Sequence, residues 1–175
     1  YIAVATDSDN NTATSNTASV TTEAYPAVTI GTVSATVASA TSVTVDLSAG
    51  AAGGSGTGLT TTLWRSTDPS MTQGSATHQV GKNLTFPYTD TSLTAGDEVY
   101  YMVVASDDAG NTKNSNIANA TPTNVSIGAL TATAVTGGIQ IAAASSPTGG
   151  SGSGYSVSLY RAAAAGVATS TANLL

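Results

Sequence analysis

Residues 99–106 read VYYMVVAS, a stretch in which both alternating sets of side chains are apolar. Positions 99, 101, 103 and 105 carry Val, Tyr, Val and Ala, and positions 100, 102 and 104 carry Tyr, Met and Val. Successive side chains of a strand point to opposite faces of a sheet. The stretch therefore predicts a β-strand whose odd-numbered residues face a core and whose even-numbered residues lie on a second face.

Alternating side chains predict further strands on the N-terminal side of this stretch. Residues 42–47 (SVTVDL), 58–65 (GLTTTLWR) and 83–88 (NLTFPY) each place three alternate side chains on one face. The inward sets are Val43, Val45 and Leu47; Leu59, Thr61 and Leu63; and Leu84, Phe86 and Tyr88. Pro87 lies on the other face of the last stretch and indicates an edge or irregular strand.

The sequence contains an internal repeat. Residues 1–21 align without a gap with residues 101–121, and ten of the 21 positions are identical. GGSGTGLTTTLWR at 53–65 recurs as GGSGSGYSVSLYR at 149–161, with seven of 13 positions identical. The repeat predicts three units: the end of one at 1–24, a whole unit at 25–121, and the start of a third at 122–175.

The strand pattern of the whole unit continues in the third. GIQIAA at 138–143 predicts that Ile139, Ile141 and Ala143 point inward, and the second Gly-rich stretch does the same for Tyr155, Val157 and Leu159. RAAAAGVATS at 161–170 is interpreted as a loop rather than a helical turn. About seven short strands per unit, separated by turn sequences such as STDPS and TAGDE, predict an all-β chain of tandem antiparallel β-sandwiches.

Composition excludes several classes of function. Charged residues make up 8% of the chain and its formal net charge is −6. Four scattered basic residues cannot neutralise a phosphate backbone, so we expect no nucleic-acid partner. The absence of cysteine excludes disulfides and thiolate metal sites. No apolar run approaches the roughly 18 residues of a membrane span, so no membrane insertion of this segment is expected.

The whole unit resembles a fibronectin type III domain, an immunoglobulin-like β-sandwich, of the bacterial and phage kind. The resemblance lies in SVTVDL, the Gly-rich turn with its following strand, SLTAGDEVYYMVVAS at 92–106 and DDAGN at 107–111. Other immunoglobulin-like sandwiches remain open alternatives. Leu47 stands where the family usually has a core Trp, and Val99 where a corner Tyr is common. Tyr100 or Tyr101 is then the candidate to supply the hydroxyl that ties this corner.

No stretch assembles a catalytic or cofactor site. The two Gly-rich stretches lack the Gly-Lys-Ser/Thr of a phosphate-binding loop and are followed by strand patterns, so we interpret them as turns. His78 is expected in a surface loop. The adjacent acidic pairs at 97–98 and 107–108 point to opposite faces of a strand and cannot share a substrate. Asp7, Asp9 and Asn11 have the spacing of a calcium loop, but a hairpin turn capped by Asx side chains is the preferred interpretation.

Three aromatic side chains are the candidates for a contact or glycan-binding surface. Trp64 and Tyr160 occupy equivalent positions opposite the predicted core face of their strands, and Tyr100 does so on its own strand. Such residues are covered by neighbouring copies, by partner chains or by a sugar ring stacked on the aromatic face, or they pack on the sheet surface alone.

The resemblance and the missing catalytic set together predict a non-catalytic structural or spacer module. We expect it in an extracellular, cell-surface or virion-surface assembly: a phage fibre or decoration protein, or a bacterial surface-layer or cell-adhesion stalk. Its expected partners are copies of itself or other structural subunits, and no cofactor is expected. The alternative is a carbohydrate-binding or accessory repeat of a secreted polysaccharide-degrading enzyme.

The chain opens in the middle of a predicted strand, so we expect it to be part of a longer polypeptide. The alternative is head-to-tail strand addition, in which residues 1–24 of one copy complete residues 122–175 of another. The region equivalent to 80–100 would be missing from such a composite, which favours the first interpretation.

Overall fold

The computed structural model describes residues 1–55, 57–73, 78–162 and 174–175. These residues form twelve β-strands and no helix. Among them, no helix is long and apolar enough to cross a membrane. The loop expected at 161–170 lies almost entirely outside the described residues. The strands are β1 Val4–Thr6, β2 Thr12–Thr14, β3 Val33–Ser39, β4 Ser42–Leu47, β5 Thr60–Ser66, β6 His78–Lys82, β7 Tyr88–Asp90, β8 Val99–Ser106, β9 Thr112–Asn114, β10 Ala118–Ala120, β11 Leu130–Val135 and β12 Gly138–Ala143.

Eight consecutive strands form two antiparallel sheets. The larger has the order β10-β8-β5-β6, with β9 also paired to β8, and the smaller has the order β3-β4-β7. Strand β8 pairs with β5 over seven residues, from Thr60 opposite Ser106 to Ser66 opposite Tyr100. This all-β arrangement, with several antiparallel sheets, is the coarse architecture that the alternating pattern predicts.

The two sheets share one hydrophobic core. Its buried members come from both sheets and from the loop before β8: Val33, Val43, Val45, Leu63, Leu93, Val99, Tyr101, Val103 and Ala120. Val43 and Val45 are fully buried, and Leu47 packs against the core while partly exposed. The inward faces predicted for β4 and β8 are therefore confirmed, and the molecule is sandwich-like in this part of the chain.

The first Gly-rich stretch forms a turn between β4 and β5. Gly53 has a φ of 77° and Gly54 a φ of 65°, a region that glycine adopts without the steric cost of a Cβ. A Cβ at Gly53 would also clash with the carbonyl oxygen of Ala27. The backbone N–H of Gly54 donates to the Pro26 carbonyl at 2.9 Å. These contacts hold the turn against the start of the unit, which agrees with the turn interpretation.

Two predictions in the middle of the chain need correction. His78 is the first residue of β6, where it pairs with Arg65, instead of lying in a loop. The edge of β5 provides a hydrogen-bonding partner that the polar sequence around His78 does not reveal. The 83–88 stretch is a strand only from Tyr88 onward, although Leu84, Phe86 and Tyr88 do pack against the core as predicted. Strand β7 is an edge strand, as Pro87 indicates.

Residues 122–175 depart most from their predicted pattern. Strands β11 and β12 form a two-stranded hairpin in which Ile139 is 71% exposed and Ala143 is also exposed, so their predicted inward face is open. Residues 155–159 form no strand, and Val157 is 64% exposed. In the 25–121 region, Val43 and Val45, which are equivalent to Ile139 and Ile141, are buried because β8 and the rest of the larger sheet cover them. Among the described residues, nothing comparable covers residues 138–143.

Removing buried methyl groups from β4 tests this difference between equivalent positions. We expect Val43→Ala to lower the free energy of unfolding by about 2 kcal/mol, because it opens a cavity in the shared core. Ile139→Ala, at the equivalent exposed position, is the control and changes that free energy by less than about 0.5 kcal/mol. Urea denaturation followed by the fluorescence of Trp64, the one tryptophan of the chain, measures both. Equal effects would contradict this assignment of the core.

Candidate functional site

The outer face of the larger sheet carries a second apolar cluster, which we call the aromatic patch. Met71, Met102 and Val104 are buried in it, and Trp64 and Tyr100 pack against them. Trp64 and Met102 are cross-strand neighbours on β5 and β8, so their side chains lie on the same face. The even-numbered side of β8 is thus buried too, as its apolar residues predict.

Trp64 is part of a small packed cluster rather than an open platform. Met71, from the loop after β5, is 4% exposed and packs in the cluster beside the indole. Nε1 of Trp64 is buried and has no hydrogen-bond acceptor among the described residues. A buried indole N–H usually has a hydrogen-bond partner, so Nε1 of Trp64 is an unsatisfied donor within the aromatic patch as described.

Tyr100 lies at the polar rim of the aromatic patch. Its hydroxyl donates to Oε2 of Glu98 at 2.7 Å, and the side-chain amide of Asn119 donates to the other oxygen of the same carboxylate. The hydrogen bond to Glu98 is the main cause that raises the pKa of Tyr100 above its ordinary value. The phenol therefore stays neutral and held in place.

Tyr160, the third predicted aromatic, belongs to a different part of the chain. It forms an isolated antiparallel bridge with Leu174 and lines a cavity with Ile139 and Ile141. The structure brings Trp64 and Tyr100 together in one patch but does not place Tyr160 in it.

A buried polar cluster joins the two sheets at one end of the core. Nη1 of Arg65 lies 2.8 Å from Oδ2 of Asp90, and the hydroxyl of Tyr101 donates to the same oxygen at 3.0 Å. Asp90 is 6% exposed and Tyr101 is fully buried. The cluster links β5 and β8 of the larger sheet to β7 of the smaller one, so the buried Asp90 carboxylate has a charged partner in Arg65, whose side chain is 24% exposed.

The sequence contains a signal for this cluster that catalytic and metal-binding motifs do not include. Arg65 follows Leu63 with the spacing of the inward face, and Asp90 follows Tyr88 in the same way. Two opposite charges in core-facing register indicate a buried ion pair. Burial is the main cause that raises the pKa of Tyr101, and the negative charge of Asp90 adds to it. Tyr101 thus supplies a fixed hydroxyl near the corner where Val99 has none.

The calcium candidate Asp7, Asp9 and Asn11 forms a hairpin turn. Oδ1 of Asp7 accepts the backbone N–H groups of Asp9 and Asn11, and Oδ2 accepts the Asn11 amide at 2.9 Å. The Asn11 side chain is the main cause that lowers the pKa of Asp7. Both carboxylate oxygens are thus occupied by N–H donors. Among the described residues, no group of three or more His, Cys, Asp or Glu side chains could hold a metal ion.

The equivalent turn at 107–111 has one additional contact. Asp107 makes the same bonds to Asn111, and its Oδ2 also accepts the backbone N–H of Ser55 at 2.9 Å. Asp107 therefore fastens the β8–β9 turn to the Gly-rich turn after β4. The bond from the Asn111 amide is the main cause that lowers the pKa of Asp107.

Comparison with known proteins adds no relative: no protein-family model, curated protein or solved structure matches the chain.

Removing one partner of the buried polar cluster should destabilise the fold. Asp90→Ala leaves the Arg65 charge and the Tyr101 hydroxyl without an acceptor, and we expect it to lower the free energy of unfolding by about 3 kcal/mol. Asp46→Ala, which removes an exposed carboxylate from β4, is the control and should cost less than about 0.5 kcal/mol. Urea denaturation measures both values. A loss at Asp90 no larger than that at Asp46 would disprove the role of the cluster.

The lowered pKa of Asp107 predicts a pH dependence of stability. A carboxyl whose pKa is lower in the folded state stabilises that state above its unfolded pKa, and this contribution is lost as pH falls through the folded value. We therefore expect the urea concentration at the unfolding midpoint to decrease as the pH is lowered below about 4. This decrease should be less steep in Asp107→Asn. Asp7→Asn changes the matching turn outside the two sheets and should leave the transition reported by Trp64 unaltered. The same pH profile in Asp107→Asn and the parent chain would contradict the assignment.

Proposed function

We propose that this chain is a non-catalytic structural spacer built from tandem fibronectin type III-like units, with boundaries at 1–24, 25–121 and 122–175. The observation that carries the proposal is the joint between the second and third units. Pro122 is buried against the second unit, and its carbonyl accepts the N–H of Gly96 at 2.6 Å. The next residue, Thr123, accepts the N–H of Gly150 at 2.7 Å.

A joint held in this way transmits orientation from one unit to the next. Pro122 and Thr123 are adjacent in the linker. Pro122 is hydrogen-bonded to the turn before β8, and Thr123 is hydrogen-bonded to the second Gly-rich turn. A flexible linker would leave these backbone groups to solvent. Limited bending between units is the property that a stalk or fibre requires of its repeats.

Recurrence of the turns supports the division into units. The bonds between Asp7 and Asn11 repeat those between Asp107 and Asn111, and Ser15 bonds to Ala3 as Ser115 bonds to Val103. The Gly-rich turns repeat as well. Thr29 bridges Ala52 as Ser126 bridges Thr148, and the glycines at 149 and 150 have positive φ values like those at 53 and 54. Identical local geometry at offsets of 96–100 residues favours a repeated structural unit over a repeated ligand site.

The strand order supports the fibronectin type III assignment. A three-stranded sheet packs on a larger sheet in which β9 and β10 both pair with β8, and this arrangement is compatible with the antiparallel β-sandwich that the resemblance implies. The ionisable groups of the core are already paired with one another, which leaves them structural roles. We extend the proposal to an extracellular, cell-surface or virion-surface location, based on the Thr-, Ser- and Gly-rich, charge-poor composition.

The proposal predicts where proteases cut the intact chain. We expect limited proteolysis to leave a resistant fragment close to 25–121, because the backbone there is paired in two sheets that share a core. Cleavage should concentrate in residues 15–25, which carry no strand and are exposed. Mass spectrometry of the products identifies the boundaries. Early cleavage inside 33–47 or 99–106 would contradict the proposed unit.

Glycan binding is the second candidate function, and the aromatic patch is the observation that favours it. A sugar would stack on the exposed part of the Trp64 ring. A glycan array with the intact chain tests this, with Trp64→Ala as the variant that removes the ring. The spacer proposal predicts no binding in either protein. Binding by the parent chain that Trp64→Ala loses would establish the glycan site instead.

A further inference from the structure

The chain enters and leaves the 25–121 region at opposite ends of the two sheets. It enters beside the first Gly-rich turn, where the N–H of Gly54 donates to the Pro26 carbonyl at 2.9 Å. It leaves beside the loop before β8, where the Pro122 carbonyl accepts the N–H of Gly96. Strand β8 spans the distance between these two places, because it begins just after that loop and ends beside Asp107, which is bonded to the Gly-rich turn.

The first and last strands of this region run in the same direction. Strand β3 leads to Thr41, whose carbonyl accepts the N–H of Leu93 from the loop before β8. Strands β9 and β10 are antiparallel to β8 and therefore lead to the same loop. Tension between residues 25 and 121 pulls β3 towards the Gly-rich turn and residues 112–120 towards the loop before β8. Such tension shears the two segments along each other.

The side chain of Asn116 joins the two segments that are sheared. Strands β3 and β10 are in contact, but no backbone ladder joins them in the described structure. The N–H of Val33 donates to Oδ1 of Asn116 at 2.7 Å, and Nδ2 of Asn116 donates to the Val33 carbonyl at 2.9 Å. The amide thus satisfies a backbone donor and a backbone acceptor on the outer edge of β3, as a neighbouring strand would.

Asn116 is itself anchored on the larger sheet. It lies in the break between β9 and β10, directly after Ser115. The N–H of Ser115 donates to the Val103 carbonyl at 2.9 Å, and its hydroxyl accepts the Val103 N–H at 3.0 Å. Val103 is fully buried in the shared core. A force on β3 is therefore passed through Asn116 to β8, the central strand of the larger sheet.

We propose that the Asn116 side chain is a tension-bearing tie between the first and last strands of the 25–121 region. The inference rests on the proposed spacer role, because a spacer that is held at both ends is placed under tension along this direction. Asn116 is an exposed residue, so water competes for its two hydrogen bonds. The tie therefore slows unfolding moderately, and it does so for one direction of force.

Force spectroscopy of the 175-residue chain tests the tie. The chain has no cysteine of its own, so Glu23→Cys and Asn124→Cys, both at exposed positions, provide thiol handles on either side of the region. Forced unfolding reports the unfolding rate directly. At constant force, we expect Asn116→Ala to unfold about fivefold faster than the parent chain with the same handles, because both bonds to Val33 are lost. An unchanged rate would overturn the proposal.

Asn114→Ala is the matched control for this measurement. Asn114 lies on the exposed strand β9, two residues before Asn116, and its backbone pairs with Val104 rather than with β3. We expect this variant to unfold at the parent rate under the same force. A rate as high as that of Asn116→Ala would assign the effect to the whole 112–116 segment and refute the specific tie.

A second pair of handles separates a tension-bearing tie from general stabilisation. Asp46→Cys and Thr67→Cys apply the force to the ends of β4 and β5, so neither β3 nor residues 112–120 carry it directly. In this direction, we expect Asn116→Ala to unfold within about twofold of the parent rate. An equal acceleration in both directions would refute the tie. The spacer proposal is judged separately by proteolysis, whose cleavage pattern does not depend on the direction of a force.

Discussion

Strand β8 is the element on which the 25–121 region depends, because it is buried on both faces and paired on both edges. It pairs with β5 on one side and with β9 and β10 on the other. Its odd-numbered residues belong to the shared core. Of its even-numbered residues, Met102 and Val104 are buried in the aromatic patch, and Trp64 packs against them. A strand in this position leaves no backbone edge free and contributes apolar area to two clusters at once. The other strands of the larger sheet are aligned by it.

The same constraint explains why equivalent sequences differ in burial. Residues 138–143 have the apolar alternation of β4, yet their side chains are exposed, since no strand like β8 lies over them in the described structure. Hydrophobic stabilisation is proportional to the apolar area that leaves contact with water. An inward face is therefore a property of a pair of sheets, and a hairpin that has the right pattern but no second sheet cannot bury it.

The short turns add specificity to this apolar framework. Asp107 joins two turns that are 52 residues apart in sequence, and Asn116 joins β3 to the strands after β8. These bonds satisfy backbone groups where regular pairing stops. They also fix which turn lies beside which, so that the repeat is recognisable in hydrogen bonds as well as in residues. The Arg65–Asp90–Tyr101 cluster has the same role at the other end of the core, where it bridges the sheets.

The sequence alone determined the all-β class, the inward faces of β4 and β8, and the turn at the first Gly-rich stretch, because these follow from side-chain period and from the φ values that glycine allows. It also located the aromatic residues, but not their packing. Only the tertiary structure decided that Met71 packs beside Trp64, that Arg65 and Asp90 meet, that His78 begins a strand, and that 155–159 does not form one. Each of these depends on segments distant in the chain, and local periodicity carries no information about which distant partner is present.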